Sequence, residues 1–269
     1  MSRKCSGGVR LTKYECGLTG EGVSLYEMLK LIELSKDAGD YRKLRMKVFA
    51  ENYLGKNSDS RIDNILRAFK KRFLNDADKG LPPVKVLSLA IDSDLPEESK
   101  RQILFPYYLF SDDLLRTTYD ELVIKSMEKG ERLTINNADV VDFLKELGKG
   151  HKNIAAWSEN SKKKWATRFL TFLRTFGMLE KYPANKLKKM YVLPETFAFF
   201  ALWLADNGLP FQRIMTYILW RFYLMSVEEV LERTYYGNKK DWWYFEEAGG
   251  IITFQPRYNL GGWLEHGLE

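Results

Sequence analysis

The sequence predicts a mainly α-helical protein. A helical bundle forms its N-terminal part, and a helix-turn-helix or winged-helix-like C-terminal part carries a small β-hairpin. Three observations predict this. Apolar residues recur at three- and four-residue spacing through most of the 269 residues. Ser, Asp or Asn precede many of these stripes and Gly follows them, the chemistry of helix caps and stops. The clearest hairpin pattern, two aromatic or β-branched runs around a Gly-Gly turn, is confined to the last quarter. At roughly 150 residues per domain, the length suggests about two domains. We divide the chain into a helical domain, 1–130, and a basic domain, 131–269, that includes the aromatic hairpin.

Taken in order, Ser24-Leu-Tyr-Glu27 reads as a capping box before Leu25, Met28, Leu29 and Ile32. Gly39 ends that helix, and Asp40 caps the next, which runs to Leu54 and stops at Gly55. Ser58 or Asp59 opens a third, with Ile62, Ile65, Leu66, Phe69 and Phe73 as its stripe. A short helix at Val84–Ile91 follows, then helices over Glu97–Tyr108, with Pro106 a possible kink, and Asp112–Met127. Asn136 or Asn137 caps a helix through Leu147, ended by Gly148 and Gly150. Ser161 caps Lys162–Phe176, and Gly177 stops it. Two buried helices, Phe197–Ala205 and Arg213–Met225, come next. Ser226-Val-Glu-Glu229 is a second capping box, opening a helix to about Tyr236. Asp241–Phe245 and Ile251–Phe254 then flank a turn whose tip carries Glu246 and Glu247.

Charge divides the chain more sharply than the total of +6 suggests. Residues 1–75 hold 16 basic and 9 acidic side chains, and 149–192 hold 11 and 2, while the intervening and final segments are net acidic. Such local excess is the electrostatic footprint of a polyanion site. Within the second block, Trp165, Phe169, Phe172, Leu173 and Phe176 make a core-facing stripe. The opposite face carries Lys164, Thr167, Arg168, Thr171, Arg174 and Thr175, and no acid occurs from Lys162 to Leu179. An exposed helix that omits acids forgoes its own i,i+4 pairs, which phosphates can replace. Met178-Leu-Glu and Met190-Tyr-Val-Leu predict two strands around a basic loop, so helix, stop, strand, loop and strand follow the order of a recognition helix and wing.

The predicted contacts are Lys162, Lys163, Lys164, Arg168 and Arg174, with Lys152, Lys186, Lys188 and Lys189 on flanking phosphates and Thr167 and Thr171 near base edges. A weaker second arrangement, the helix at Ser60–Leu74, offers Arg61, Arg67, Lys70 and Lys71 as secondary contacts, diluted by Asp59 and Asp63. In the C-terminal quarter, glutamates repel phosphate, so Trp242, Trp243, Tyr244 and Phe245 read as core or a protein-binding surface.

Catalytic signatures are missing. No P-loop pattern occurs, and Gly17-Leu-Thr-Gly-Glu-Gly22 reads as a loop before the first helix. Two histidines, with His151 in a Lys-Gly-His-Lys loop, and two cysteines, Cys5 and Cys16, leave little for metal or acid–base work. The adjacent pairs Glu97-Glu98 and Asp112-Asp113 suit helix N-termini better than a metal. No cofactor and no small-molecule substrate are expected. The N-terminus lacks a signal-peptide core, and the apolar stretch Phe197–Met225 is too interrupted for the roughly 20 residues of a span. A cytoplasmic protein without a membrane partner is the expectation.

Several short motifs add a resemblance. They are Gly17-Leu-Thr, Glu51-Asn-Tyr-Leu with Arg72-Phe, Tyr107-Tyr-Leu-Phe-Ser-Asp-Asp, Trp157-Ser with Ser161-Lys-Lys-Lys, Leu173-Arg-Thr-Phe-Gly-Met-Leu, and Leu193-Pro-Glu before the aromatic tail. In that order they resemble the BrxA family of bacteriophage exclusion (BREX) defence systems, a family also described as inner-membrane proteins. The resemblance implies a helical protein that binds DNA and works beside a methyltransferase, an ATPase and other defence proteins; together with the basic face of Lys162–Phe176 it leads us to expect a non-enzymatic protein that binds double-stranded DNA. It implies no catalytic residues, and it suggests similarity to helical antitermination-type folds. Two other readings stay open: a protein–protein adaptor docking through the aromatic acidic C-terminus, and an RNA-binding helical protein.

Overall fold

The first helix, α1 (Leu25–Ala38), buries Met28, Leu31 and Ile32 and ends at Gly39, whose φ of 72° needs no Cβ. In this computed structural model the described residues are 14, 18, 22–74, 80–130, 134–249 and 251–268. Both cysteines and most of the Gly17–Gly22 run lie outside them. The predicted box at Ser24 does not form: Ser24 is left-handed (φ 43°) and makes no side-chain cap. An N-cap side chain reaches the amides ahead from an extended backbone, which Ser24 lacks. Glu27 instead pairs with Lys56 at 2.6 Å.

Asp40 caps α2 (Tyr41–Ala50) by accepting from the Lys43 amide at 2.9 Å. This helix stops short of Leu54 because Asn52 turns left-handed (φ 42°) and its side chain accepts the Lys56 amide. Next come α3 (Asp59–Phe69), continued by a wider π turn over Lys70–Leu74, and α4 (Val84–Asp92). The expected stripe from Ile62 to Phe73 is buried. In α5 (Glu97–Ser111) the chain passes through Pro106 without ending the helix, and residues 102–109 are all buried. Asp112 caps α6 (Asp113–Tyr119); a π turn over Asp120–Ile124 leads into α7 (Lys125–Lys129), stopped by Gly130.

Asn136 and Asp139 form a capping box at the start of α8 (Asn137–Gly150). The glycines expected to end this helix lie in its last turn. A Cβ on Gly148 would come within 3.3 Å of the Ala155 backbone, so this glycine lets α9 (Lys152–Ala155) pack closely. Then α10 (Glu159–Thr175) is capped by Ser158, not Ser161, through the Ser161 amide at 3.1 Å. The helix therefore begins a turn earlier than predicted and includes Glu159.

After α11 (Pro194–Asp206), the single helix expected over Arg213–Met225 is two: α12 (Phe211–Met215) and α13 (Ile218–Phe222). Extended backbone at Tyr217 breaks it, and the Trp220 indole donates to the Ile214 carbonyl, which also accepts the Tyr217 amide. The capping box at Ser226 and Glu229 opens α14 (Val227–Lys239). The hairpin forms from β1 (Trp243–Ala248) and β2 (Ile251–Pro256), antiparallel, with Trp243 opposite Pro256 and Ala248 opposite Ile251. Glu246 and Glu247 stand within β1, not at the tip. A final helix, α15 (Leu260–His266), was not predicted.

The core is aromatic. Phe105 of α5 packs against Phe172 at 5.5 Å, Phe176 at 5.1 Å and Tyr223 at 5.5 Å between ring centroids. Gln102 accepts from the Leu193 amide and the Thr196 hydroxyl, and donates to Tyr191. These contacts cross the expected boundary after residue 130 and hold α10 against a helix from the first half.

Candidate nucleic-acid interface

The apolar side of α10 is wholly enclosed. Trp165, Phe169, Phe172 and Leu173 are at 0% exposure and Phe176 at 2%. That burial fixes which side faces out: Lys163, Lys164, Thr167, Arg168 and Thr171 are exposed, and Arg174 and Thr175 are half-buried. Lys163, Lys164 and Arg168 have no side-chain ion pair or hydrogen bond among the described residues. The threonines are tied to the helix: Thr167, Thr171 and Thr175 each donate to the carbonyl four residues back, at 2.9–3.0 Å. Their protons are committed, so toward a ligand they act as acceptors. Thr167 also accepts from Asn137 at 2.9 Å, which ties α8 to this face.

Lys162 departs from the prediction. It is buried, and its ammonium donates to the Trp157 carbonyl and to Glu159, both at 3.1 Å, closing the turn before α10. The Lys162 hydrogen bond, resisted by slight burial and aided by Lys145, holds the Glu159 carboxyl below the usual carboxylate range. Arg174 donates to the Asn185 side chain at 2.6 Å, while its Nε is enclosed without a partner among the described residues. Among the described residues no carboxylate neutralises it.

Gly177 (φ 72°) turns the chain into a short hairpin. Its strands differ from the expected pair. Leu179 bridges Leu187, the Glu180 amide donates to Lys186 and the Lys188 amide to Met178, both at 2.9 Å. The returning strand is thus Lys186–Lys188, four residues earlier than Met190–Leu193, whose backbone is drawn instead to Gln102. On its other side Lys186 bridges Thr134, which precedes α8. Lys186 and Lys152 are exposed. Lys188 pairs with Glu180 at 3.1 Å, and Lys189 pairs with Glu229 on α14. Burial works against the Glu229 carboxylate, but Lys189, the Ser226 amide and Arg233 outweigh it and keep its pKa low.

Part of the first basic block is held from within. Arg45 binds Asp63 at 2.8 Å, Arg67 binds Asn64, and Lys70 lies 5.1 Å over the Tyr41 ring. Lys71 is half-buried and Arg61 exposed. Arg72, in the Arg-Phe motif, is buried; it donates to Gly22 at 2.9 Å and lies 4.3 Å over Tyr108. A Cβ on Gly22 would stand 2.8 Å from Arg168, so the Gly22 backbone is seated between Arg72 and the α10 face.

Elsewhere, Trp242, Trp243 and Phe245 are core, and Tyr244 is exposed. His151 is not a solvated loop residue: it joins α8 to α9, half-buried, with its ring 4.6 Å from Tyr14. Asp112 is a buried cap, and Asp113, Glu97 and Glu98 pair with Arg116, Lys100 and Arg101. Among the described residues no group of three or more His, Cys, Asp or Glu is placed to hold a metal, and no helix is long and apolar enough to cross a membrane.

The sequence profile of the BrxA family matches residues 12–202. The chain belongs to the BrxA family. The matched segment contains α10, its hairpin and Arg72, and membership associates this BrxA-family chain with BREX phage defence. BrxA is not known as an enzyme family. The fold is similar to the crystal structure of an uncharacterized protein from Magnetospirillum magneticum, with a TM-score of 0.58 and 16% identity, over 79% of this chain and 98% of that one. No curated protein matches the chain.

Sequence reasoning missed Asn185 and Tyr182 in the hairpin. The signal for Tyr182 was present, an aromatic beside Pro183 in a loop that otherwise holds only small and basic residues.

Proposed function

We propose that this protein binds double-stranded DNA, without catalysis, as a component of a BREX phage-defence assembly. The outer face of α10 is the contact surface and the hairpin after it is the wing. The observation that carries this reading is the row Lys163, Lys164 and Arg168: exposed, on one helix face, unpaired among the described residues, and seated on an aromatic core. Strand order supports the wing, since the returning strand lies between the segment before α8 and the segment after α10. The order bridged segment, supporting helix, outward helix and hairpin supports reading this part as winged-helix-like. Arg174 and the exposed Lys152 and Lys186 extend the phosphate contacts, with Arg61, Lys70 and Lys71 as a weaker second surface. Within the assembly, the methyltransferase and ATPase of the system are the expected neighbours.

Fluorescence anisotropy with a labelled duplex tests this. Lys163→Glu, Lys164→Glu and Arg168→Glu together replace three attractions by repulsions and should weaken binding at least about 100-fold. The circular-dichroism spectrum should not change, because all three side chains are exposed. Undiminished affinity would overturn the assignment.

A further inference from the structure

We propose that Tyr182, at the tip of the hairpin after α10, enters the minor groove of duplex DNA beside the segment that α10 contacts. The inference rests on the reading of α10 as a duplex-binding helix and adds to it a second kind of contact, apolar in place of ionic.

Tyr182 is 81% exposed, the most exposed large apolar side chain among the described residues. Its hydroxyl has no partner there, and its neighbours Lys181, Pro183 and Ala184 are exposed too. The tip nevertheless stands on a fixed base. Lys186 bridges Thr134 on one side and its carbonyl accepts the Glu180 amide at 2.9 Å on the other, the Ile135 amide donates to the Asn185 carbonyl at 3.0 Å, and Arg174 of α10 holds the Asn185 side chain. A ring presented on a stapled loop loses little freedom on binding, so its contact is not spent on ordering the loop.

The surroundings select the partner. Lys181 and Lys186 stand exposed on the two sides of the tip in sequence, and Glu180 is already paired with Lys188. The tip is therefore cationic around an amphipathic ring, which disfavours a second apolar protein surface and suits an anion with apolar walls. A minor groove about 6 Å wide offers deoxyribose walls to the ring and base acceptors at its floor to the hydroxyl, between two rows of phosphates for the lysines. Arg174 joins the base of the hairpin to α10, so both elements move onto one duplex together.

The test is anisotropy with an A·T-rich duplex, comparing wild type, Tyr182→Ala and Tyr182→Phe, each with and without netropsin filling the minor groove. Tyr182→Ala should lose about tenfold in affinity, the size of an aromatic contact to a nucleic acid. Its salt dependence should stay unchanged, because no phosphate contact is removed. Tyr182→Phe should recover most of the loss, and netropsin should weaken wild type but not Tyr182→Ala. Duplex binding by wild type with equal affinity for Tyr182→Ala would overturn this inference and leave the α10 reading standing. Absence of duplex binding by wild type would overturn both.

Discussion

The two basic blocks look alike by residue count and differ in what they present. Around α2 and α3 several cations have internal partners: Arg45 has Asp63, Lys56 has Glu27, Arg67 has Asn64, and Arg72 is buried against backbone carbonyls, while the exposed Arg42 and Lys43 have no side-chain ion pair or hydrogen bond among the described residues. On α10 the exposed Lys163, Lys164 and Arg168 have none among the described residues. Exposed ion pairs add little stability, so leaving these cations unpaired costs the fold little and keeps their charge available. Unpaired charge on a face that carries no carboxylate from Lys162 to Leu179, rather than summed charge, separates a surface suited to phosphate from one that mixes its cations with Asp59 and Asp63.

Four changes break or sharpen that comparison. The largest concerns Arg72, a cation of the first block with a structural task. Arg72→Met leaves the Gly22 carbonyl without its donor and should cost about 1–3 kcal/mol in denaturant unfolding. The salt dependence of DNA binding should not change, and a shallower slope would mean that Arg72 serves the ligand. Next, Thr171→Asp makes α10 resemble the first block, with one carboxylate three residues from both Arg168 and Arg174. Duplex affinity should fall about tenfold, with the slope of log K against log salt shallower by one to two contacts.

The converse change is smaller. Asp59→Asn with Asp63→Asn releases Arg45, and affinity at low salt should rise about threefold if this face lies near the duplex. An unchanged affinity would confine binding to α10 and its wing. The smallest effect is expected at Glu229, whose low pKa contributes stability present above the ordinary carboxylate pKa and lost as pH falls through the folded value. Glu229→Gln should lower Tm at neutral pH, and the difference from wild type should close in acid. The same change frees Lys189 and should steepen the salt slope by up to about 0.9.

Much of this was legible in the sequence, and the exceptions have physical causes. The α10 stripe and its Gly177 stop were readable because periodicity and backbone chemistry are local. So were the boxes and caps at Asn136, Asp40 and Ser226. The start of α10 was not, because Ser158 and Ser161 are equally good acceptors and only the buried Lys162 bridge to Trp157 decides between them. Composition overstated the first block because its partners come from distant positions, as Lys56 and Glu27 do. The apolar run at Met190 suggested a strand, but Gln102, about 90 residues away in sequence, takes its backbone hydrogen bonds. Helix α15 was hidden by Gly261 and Gly262; Asn259, the Asp206 carboxylate and the burial of Trp263 override their low helix propensity.

The most direct test of the account is the salt dependence of duplex binding for wild type and for the neutral variant Lys163→Ala, Lys164→Ala, Arg168→Ala. If these three act with Arg174, Lys152 and Lys186, about six phosphates are neutralised, giving a slope near −5.4 for wild type and near −2.7 for the variant. Equal slopes for the two proteins would contradict it.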